Sequence, residues 1–547
     1  MSAAEDQPAA GVPETGGSGA RDPGEGRNAD AASKREDTGV ARDGPGQAGE
    51  QGAEDSARHG SSRHGLSELI AERRAKARRL AETDPSAFPY AFPDVEPIDS
   101  ILAAYSHLQA GEETEDRHRI AGRIAARRGS GRATFIDLVD RTGRIQLHAR
   151  VDILGEEAYA RLSSLDLGDL IGVEGAPLRS RRGELSLRVD SFALLTKALR
   201  PPPDKFHGLA DTETRYRRRE LDLISGVDAR RLFVDRARIV SAIRAHLDGA
   251  GFVEVETPIL QPLYGGALAH PFTTHHNFLD RDLYLRIASE LYLKRLLVGG
   301  LERVYELGKN FRNEGVSTKH NPEFTVIEFY EAYADYADAA QRTEQLVRAA
   351  AVAVDYSGEL DFSAPWRRIT FAQAISEATG IDVLAHREDP DGLRAAVARL
   401  DLDVQINGDT WFQLADDLLS KLVEPTLIQP TFVLDYPIEL SPLARAHRST
   451  PGLVERWEAF AGGMEIANAF SELTDPDVQR ERFAAQRRLA DLIGEEETQP
   501  YDESFIQALE QGMPPAGGVG IGIDRLVMLL TDRDSIREVI LFPALRT

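Results

Sequence analysis

The chain has 547 residues, 42% hydrophobic and 28% charged, ordinary proportions for a soluble globular protein and too long for one core, so two or three domains are expected. With no cysteine it has no disulfide, no thiolate metal ligand and no cysteine nucleophile. A net charge of −24 argues against general affinity for nucleic acid, and no stretch approaches the ~18 consecutive apolar residues of a membrane-spanning helix.

Residues 1–64 are mostly Gly, Ala, Pro, Ser, Arg, Asp and Glu, a composition that cannot bury enough surface to order itself, so a disordered tail is expected. The start also lacks a basic-then-apolar signal pattern, and with the absence of cysteine this points to a cytoplasmic protein with no membrane partner. A helical segment is expected over 65–115, led by SELIAERRAKARRLAE (67–82). Leu69, Ile70, Ala77 and Leu80 form a narrow apolar edge there, interrupted by Arg73.

Short alternating segments fill residues 116–197: HRIAGRIAAR, ATFIDLVD, RIQLHARV, LIGVEGAPLR and LSLRVDSFALL. Five or so strands in this span suggest a small closed barrel. It is basic inside an acidic protein, with arginines at 117, 119, 123, 127, 128, 132, 141, 144 and 150 against only Asp137 and Asp140. Two readings stand for that run, a solvated face or a polyanion-binding module. LRPPPDKFHG (199–208) then reads as a stiff linker, placed within 198–225.

From 226 to 547 the pattern becomes mixed. In ARIVSAIRAHLDGAG (237–251) Ile239, Ile243 and Leu247 sit at helical spacing before terminal glycines, and FVEVETPIL follows as a strand that must stop by Pro258. Strands and helices do not alternate regularly, so an α+β domain with an antiparallel sheet flanked by helices is expected.

Three segments carry candidate chemistry. FRNEGVSTKHNPEF (311–324) is dense in charge between two strand-like runs. Period 2 puts Arg312 and Glu314 on one face of the incoming strand, and Phe324, Val326, Glu328 and Tyr330 on one face of the outgoing strand. Thr325, Ile327 and Phe329 then face a core. A buried polar face needs partners for every group, more than a structural hairpin requires. In RWEAFAGGMEIANAFSEL (456–473) a hairpin at Gly462 and Gly463 brings Glu458 near Glu465. Such a pair is relieved by a hard cation such as Mg2+, or else sits on a wet edge or pairs with Arg456. Strict alternation groups Asn468, Phe470 and Glu472 but leaves Glu465 on the other face, so either a bulge intervenes or the hairpin register differs. GGVGIGIDRLVMLL (517–530) has glycines before a helix-like run, as phosphate-binding loops do, but its spacing is neither GxGxxG nor a P-loop, and Asp524 and Arg525 are its only reactive groups.

Together these segments resemble the class II aminoacyl-tRNA synthetases, most closely lysyl-tRNA synthetase of the bacterial type. TPILQPLYGGALAHPF (257–272) follows the family's first motif; YLRIASELYLKRLLVGGLERVYELGKNFRNEG (284–315) and HNPEFTVIEFYEAYADY (320–336) follow its second; GVGIGIDRLVMLLT (518–531) follows its third. The resemblance covers roughly residue 65 onward. It implies an antiparallel catalytic domain preceded by an OB-fold anticodon-binding domain, and a homodimer built through the first motif. The implied activity is lysine–tRNA ligation: ATP activates L-lysine to lysyl-adenylate, which is passed to the 3′-terminal ribose of tRNA(Lys).

By the same resemblance, Arg312 bridges the lysine carboxylate and the α-phosphate, and Arg525 holds the far end of the triphosphate. Phe324 stacks on adenine, with Glu314, His320 and Asn321 as further ATP contacts, and Glu458 and Glu465 match Mg2+ ligands. Glu472 with Tyr330 matches the pair that holds the lysine ε-ammonium, Glu290 the α-amine contact and Asn468 a carboxylate contact, with Phe470 along the methylene stem. No basic group lies in 465–475, which favours lysine over the acidic substrate of the related aspartyl enzymes. In the barrel Arg123, Phe135, Gln146 and Glu184 match anticodon-reading positions, although Phe135 is equally suited to a barrel core.

The chain departs from common family residues at His270, Ser289, Met464, Ala469 and Thr474. These leave open a paralogue that activates lysine or an analogue for a non-tRNA acceptor. A non-catalytic RNA-binding or regulatory protein is the alternative of another class, disfavoured by Arg312, Arg525, Glu458 and Glu465, which RNA binding does not require.

Overall fold

The computed structural model describes residues 51–129, 131–203, 209, 211–363, 365–400, 405–493 and 499–545. The first fifty residues of the expected tail and positions 204–208 of the expected linker lie outside the described residues. A helix over Gln51–Thr83 begins inside the stretch expected to be a tail and covers only the first part of the segment 65–115 expected to be helical, where the short helix Ile98–Ala104 is the other helical piece. The chain divides into two units, Met1–Ala71 and Glu72–Thr547. Within the second unit Arg73, the residue that interrupts the apolar edge, is buried and donates to the carbonyls of Ala198 (2.9 Å) and Leu167 (3.2 Å). It earns its place on that edge by satisfying backbone oxygens.

Five strands form a closed barrel in the order β1-β2-β3-β5-β4: β1 (His118–Arg128), β2 (Ala133–Val139), β3 (Arg144–Arg150), β4 (Leu170–Arg179) and β5 (Leu185–Thr196). All pairs are antiparallel except β3 with β5, and the helix Glu156–Ser164 lies between β3 and β4 in the chain, the arrangement of an OB-fold. Ile120, Ile124, Ile136, Leu138, Ile145, Leu147, Leu187 and Val189 fill the interior by period-2 alternation.

In place of one strand over FVEVETPIL there are two short ones in different sheets, β6 (Val253–Glu254), which ends before Pro258 as expected, and β7 (Leu260–Gln261) beyond it. β7, β8 (Thr273–His276) and β9 (Arg281–Leu285) make a small sheet. The remaining strands are β10 (Arg303–Phe311), β11 (Glu323–Ala332), β12 (Arg367–Thr370), β13 (Thr431–Leu434), β14 (Arg456–Ala461), β15 (Met464–Ser471) and β16 (Ala516–Gly522). With β6 they form an eight-stranded sheet ordered β12-β13-β14-β15-β16-β11-β10-β6, parallel only at its two outermost pairs.

One face of this sheet packs against the helices Val227–Gly249 and Tyr336–Ala353. Ile239, Ile243 and Leu247 of the first helix meet Ile327 and Phe329 of β11 and Val519 and Ile521 of β16 in one core. The expected period 2 in β11 holds, with Thr325, Ile327 and Phe329 buried on that side and Phe324, Val326, Glu328 and Tyr330 lining a cleft on the other.

Candidate functional site

β16 shapes the cleft floor by what it lacks. Val519 and Ile521 face the core, while Gly518, Gly520 and Gly522 face the cleft and leave an open channel between the side chains of β11 and β15. These glycines belong to a strand, in keeping with a spacing that fits no phosphate-binding loop, and act as a period-2 device. Two rows cross four strands over this floor. One is Tyr330–Gly518–Phe470–Arg456 and the other is Glu328–Gly520–Asn468–Glu458.

The β14–β15 hairpin turns at Gly462 and Gly463, with φ of 60° and 70°, so both positions need glycine for a two-residue turn of this hand. A bulge then shifts the register: Ala459 pairs with Ala467, but Phe460 pairs with Glu465, leaving Ile466 extra. Of the two readings the alternation left open, a bulge or a different register, the pairing shows the bulge. It puts Glu465 on the cleft wall with Asn468 and Phe470.

Around Phe324 the positive groups converge. Arg312 follows directly after β10, its backbone N–H bonded to Pro322 O (2.9 Å) and its guanidinium 5.1 Å from the Phe324 ring centroid. Burial draws that guanidinium below its usual pKa, partly offset by Glu314 and Glu465. Arg525, at the start of the helix Ile523–Leu530, donates to the Glu465 carboxylate (3.0 Å) and carbonyl (2.8 Å) and lies 3.1 Å from His320 Nε2. His320 Nδ1 is 2.8 Å from Ser317 Oγ, and burial with the Arg525 charge lowers its pKa, so the ring accepts from Arg525 as a neutral imidazole. Asp524, buried in the cleft lining, accepts from Thr325 N–H (2.7 Å) and pairs with Arg236 (2.7 Å), and thereby fixes the arginine beside it.

Glu314 and Asn321 also line the cleft. The Asn321 amide already donates to Glu323 O (2.6 Å) and accepts from Ala544 N–H (3.1 Å), tying the C-terminal segment to the loop. The loop tip is latched as well: Lys319 Nζ lies 3.1 Å from Glu424 and donates to Gly463 O (2.8 Å).

Glu458 and Glu465 reach the same region through different partners. Glu458 accepts from Arg456 Nη2 (2.5 Å) and the Tyr436 hydroxyl (2.8 Å), and burial pushes its carboxyl up to about 7. Arg456 also donates to Asn468 Oδ1 (3.1 Å), so the ion pair with Arg456 that the sequence left open is present. Asp416, on the helix Trp411–Leu418, acts electrostatically on Glu458 and was not singled out from sequence, where nothing marks it within an amphipathic helix. Among the described residues no three acids or histidines form a cation cage. Two carboxylates, one held near neutrality by burial, suit a cation that brings phosphate oxygens with it rather than one caged by protein alone.

The far end of the cleft is acidic. Glu290, Glu328 and Tyr330 line it, and Glu290 and Glu472 both bond Lys294, at 2.6 Å and 2.5 Å. Glu472 is fully buried behind Gly518, where a Cβ would stand 2.0 Å from its Oε1 and 2.3 Å from the Tyr330 ring. Burial pushes the Glu472 carboxyl up to about 8 despite Lys294, and raises Tyr330 well above the usual phenol. Lys294 was not picked out from sequence, although a Glu followed by Lys four residues later on a helix was a signal for the pair.

On the barrel, Phe135 belongs to the outer face, not the core. It stacks on His148 with centroids 4.7 Å apart and planes 8° from parallel. Arg128, Phe135, His148 and Arg188 form one row across β1, β2, β3 and β5, with Gln146 in the next row. Arg123 donates to Gly168 O (2.7 Å) and Glu184 is exposed at the β4–β5 turn. His148, the second ring of the platform, was missed because β3 residues show their neighbours only once paired. Several arginines of the basic run are engaged by acids, Arg119 by Glu174 and both Arg128 and Arg144 by Asp137.

The family description "tRNA synthetases class II (D, K and N)" matches residues 211–546, and "OB-fold nucleic acid binding domain" matches 118–195. The chain belongs to the class II tRNA synthetases of this D, K and N group. Its relatives include the lysine–tRNA ligases of Synechococcus sp. (strain CC9311), 52% identical over 88% of this chain and 99% of that protein, and of Carboxydothermus hydrogenoformans, 49% identical over 88% and 98%. The lysine–tRNA ligase of Moorella thermoacetica is 49% identical over 88% of this chain and 98% of that protein.

Proposed function

We infer that the chain is a lysine–tRNA ligase, which joins L-lysine to ATP as lysyl-adenylate and passes the lysyl group to the 3′-terminal ribose of tRNA(Lys). The observation that carries the reading is one cleft with a cationic half around Arg312 and Arg525 and an acidic half lined by Glu290 and Glu328, with Glu472 buried behind it. A lysine laid along it directs its carboxylate to the cations and its two amines to the acids.

In the first step a lysine carboxylate oxygen attacks the α-phosphorus of ATP, and the bond to the leaving pyrophosphate breaks. Arg312 bridges the two anions that must meet. Arg525 leaves Glu465 to hold the terminal phosphates, and Phe324 stacks on adenine, with Glu314, His320 and Asn321 around the nucleotide. Fixed positive charge where phosphate charge develops is the main source of acceleration. Glu458 and Glu465 would hold Mg2+, which supplies further neutralisation of the triphosphate. Glu290 takes the α-amine, Asn468 the carboxylate, Glu472 with Tyr330 the ε-ammonium, and Phe470 the methylene stem. In the second step a ribose hydroxyl attacks the acyl carbon, its proton leaves to solvent or phosphate oxygen, and AMP departs.

Arg123, Phe135, Gln146 and Glu184 read the anticodon, with Phe135 as a stacking ring and polar neighbours at base edges. The protein acts as a cytoplasmic homodimer; exposed Val253, Ile259, Leu260 and Phe278, in and around the first motif, supply the apolar surface for pairing. No described helix is long and apolar enough to cross a membrane. The test is charging of purified tRNA(Lys) with labelled lysine. Loss of charging with exchange retained points to another acceptor.

A further inference from the structure

We propose that Lys294 is a positioning residue for lysine recognition, a resident ammonium that ties the α-amine acid Glu290 to the ε-amine acid Glu472 from behind the cleft. The inference rests on reading the acidic half of the cleft as the lysine site. Lys294 has no solvent exposure and does not line the cleft. Its ammonium lies 2.6 Å from Glu290, 2.5 Å from Glu472 and 5.4 Å from the Phe470 ring centroid. Glu290 and Lys294 share the helix Glu290–Val298, whereas Glu472 lies just past the end of β15, so this single side chain joins the helix to the sheet at the recognition end.

Charge balance explains why a protein that selects an amine keeps one of its own here. Glu290, Glu328 and Glu472 are three buried carboxylates within mutual electrostatic reach. Glu328 is held by Ser289 N–H (3.0 Å) and Asn310 (3.3 Å), both neutral donors. Left to themselves, buried carboxylates take up protons and lose their hold on an ammonium. Arg456 also acts on Glu290 but is already paired with Glu458, so one resident ammonium against three carboxylates leaves a deficit of two positive charges, the number that the α- and ε-amines of lysine supply. Lys294 thus aims Glu290 and Glu472 and opposes the burial that raises both carboxyls, while leaving the cleft unfilled. The buried Glu472 Oε1, without a hydrogen-bond partner among the described residues, is the acceptor left open at the Gly518 notch.

The experiment is lysine-dependent ATP–pyrophosphate exchange on Lys294→Met, Lys294→Arg and Glu472→Gln across pH 6.5 to 9.5, with fold checked by circular dichroism. Lys294→Met is expected to raise the lysine KM at least tenfold with the ATP KM within threefold of wild type, and to shift the lysine-KM pH profile upward. Lys294→Arg is expected to retain the wild-type pH profile. A lysine KM unchanged in Lys294→Met, or lysine and ATP KM rising together, overturns the role of Lys294. An unchanged lysine KM in Glu472→Gln instead overturns the reading of the cleft end. If Lys294→Met does not fold, reductive methylation of the wild-type protein followed by peptide mass spectrometry decides. Protection of Lys294 both without and with saturating lysine supports a resident ammonium; labelling that appears on adding lysine shows a displaced plug and overturns it.

Discussion

Glu465 and Asn468 share one wall of the cleft although they stand three positions apart on a strand, because Ile466 is bulged out of register. Without the bulge the odd spacing would send Glu465 to the core face. With it, the carboxylate meets Arg525 at 3.0 Å and stands where triphosphate and cation charge would gather.

Glu465→Gln is therefore expected to raise the Mg2+ concentration for half-maximal exchange severalfold while leaving the lysine KM near wild type. A magnesium titration of exchange at saturating lysine checks this, and an unchanged requirement removes Glu465 from the cation site.

Gly518→Ala tests the shape of the recognition end. Its Cβ would stand 2.0 Å from Glu472 Oε1 and 2.3 Å from the Tyr330 ring, closer than atoms can approach, so one of these groups must move. A misplaced recognition group costs about a hundredfold in kcat/KM. The expected outcome is that loss in lysine kcat/KM with the ATP KM held within threefold, read from exchange kinetics.

The acidity of Glu472 gives a pH dependence. Burial raises its carboxyl to about 8, so below that pH a proton competes with the substrate ammonium for the same oxygen. Lysine affinity should weaken as pH falls below about 8, by up to ~10-fold per unit, and level off above it. Glu472→Gln should weaken binding and flatten the profile. A pH-independent wild-type lysine KM between pH 6.5 and 8.5 would contradict the assignment.

Much of this site was legible because period 2 is a strict rule. Residues 324–330 declared their two faces, and the mismatch at Glu465 marked either a bulge or a different register there, a choice that only the pairing resolves. The glycines of 517–522 said little as a linear motif, since an empty cleft floor means something only between Tyr330 and Phe470 on the neighbouring strands. Lys294 and Glu472 are far apart in sequence, and the first lies on a helix that reads as ordinary. Lys319, at the tip of the loop, took its meaning from Glu424 and the Gly463 carbonyl, which only the folded chain brings to it.

Recognition of tRNA should be separable from activation. Phe135→Ala removes one ring of the Phe135–His148 platform, and loss of one base–aromatic stack weakens binding by roughly tenfold to a hundredfold. The tRNA KM should rise by that order in charging assays while exchange without tRNA stays at the wild-type rate.

The activation step itself rests on Arg312. Arg312→Ala should lower exchange at least a thousandfold while leaving tRNA binding, measured by filter retention, within threefold of wild type. Loss of tRNA binding alongside exchange would assign the residue to the structure of the loop.

The central claim is tested most directly by ATP–pyrophosphate exchange on the purified protein, with each standard amino acid offered in turn. The account predicts exchange with lysine and none above background with aspartate or asparagine. Exchange with aspartate or asparagine, or no exchange with lysine, would contradict it.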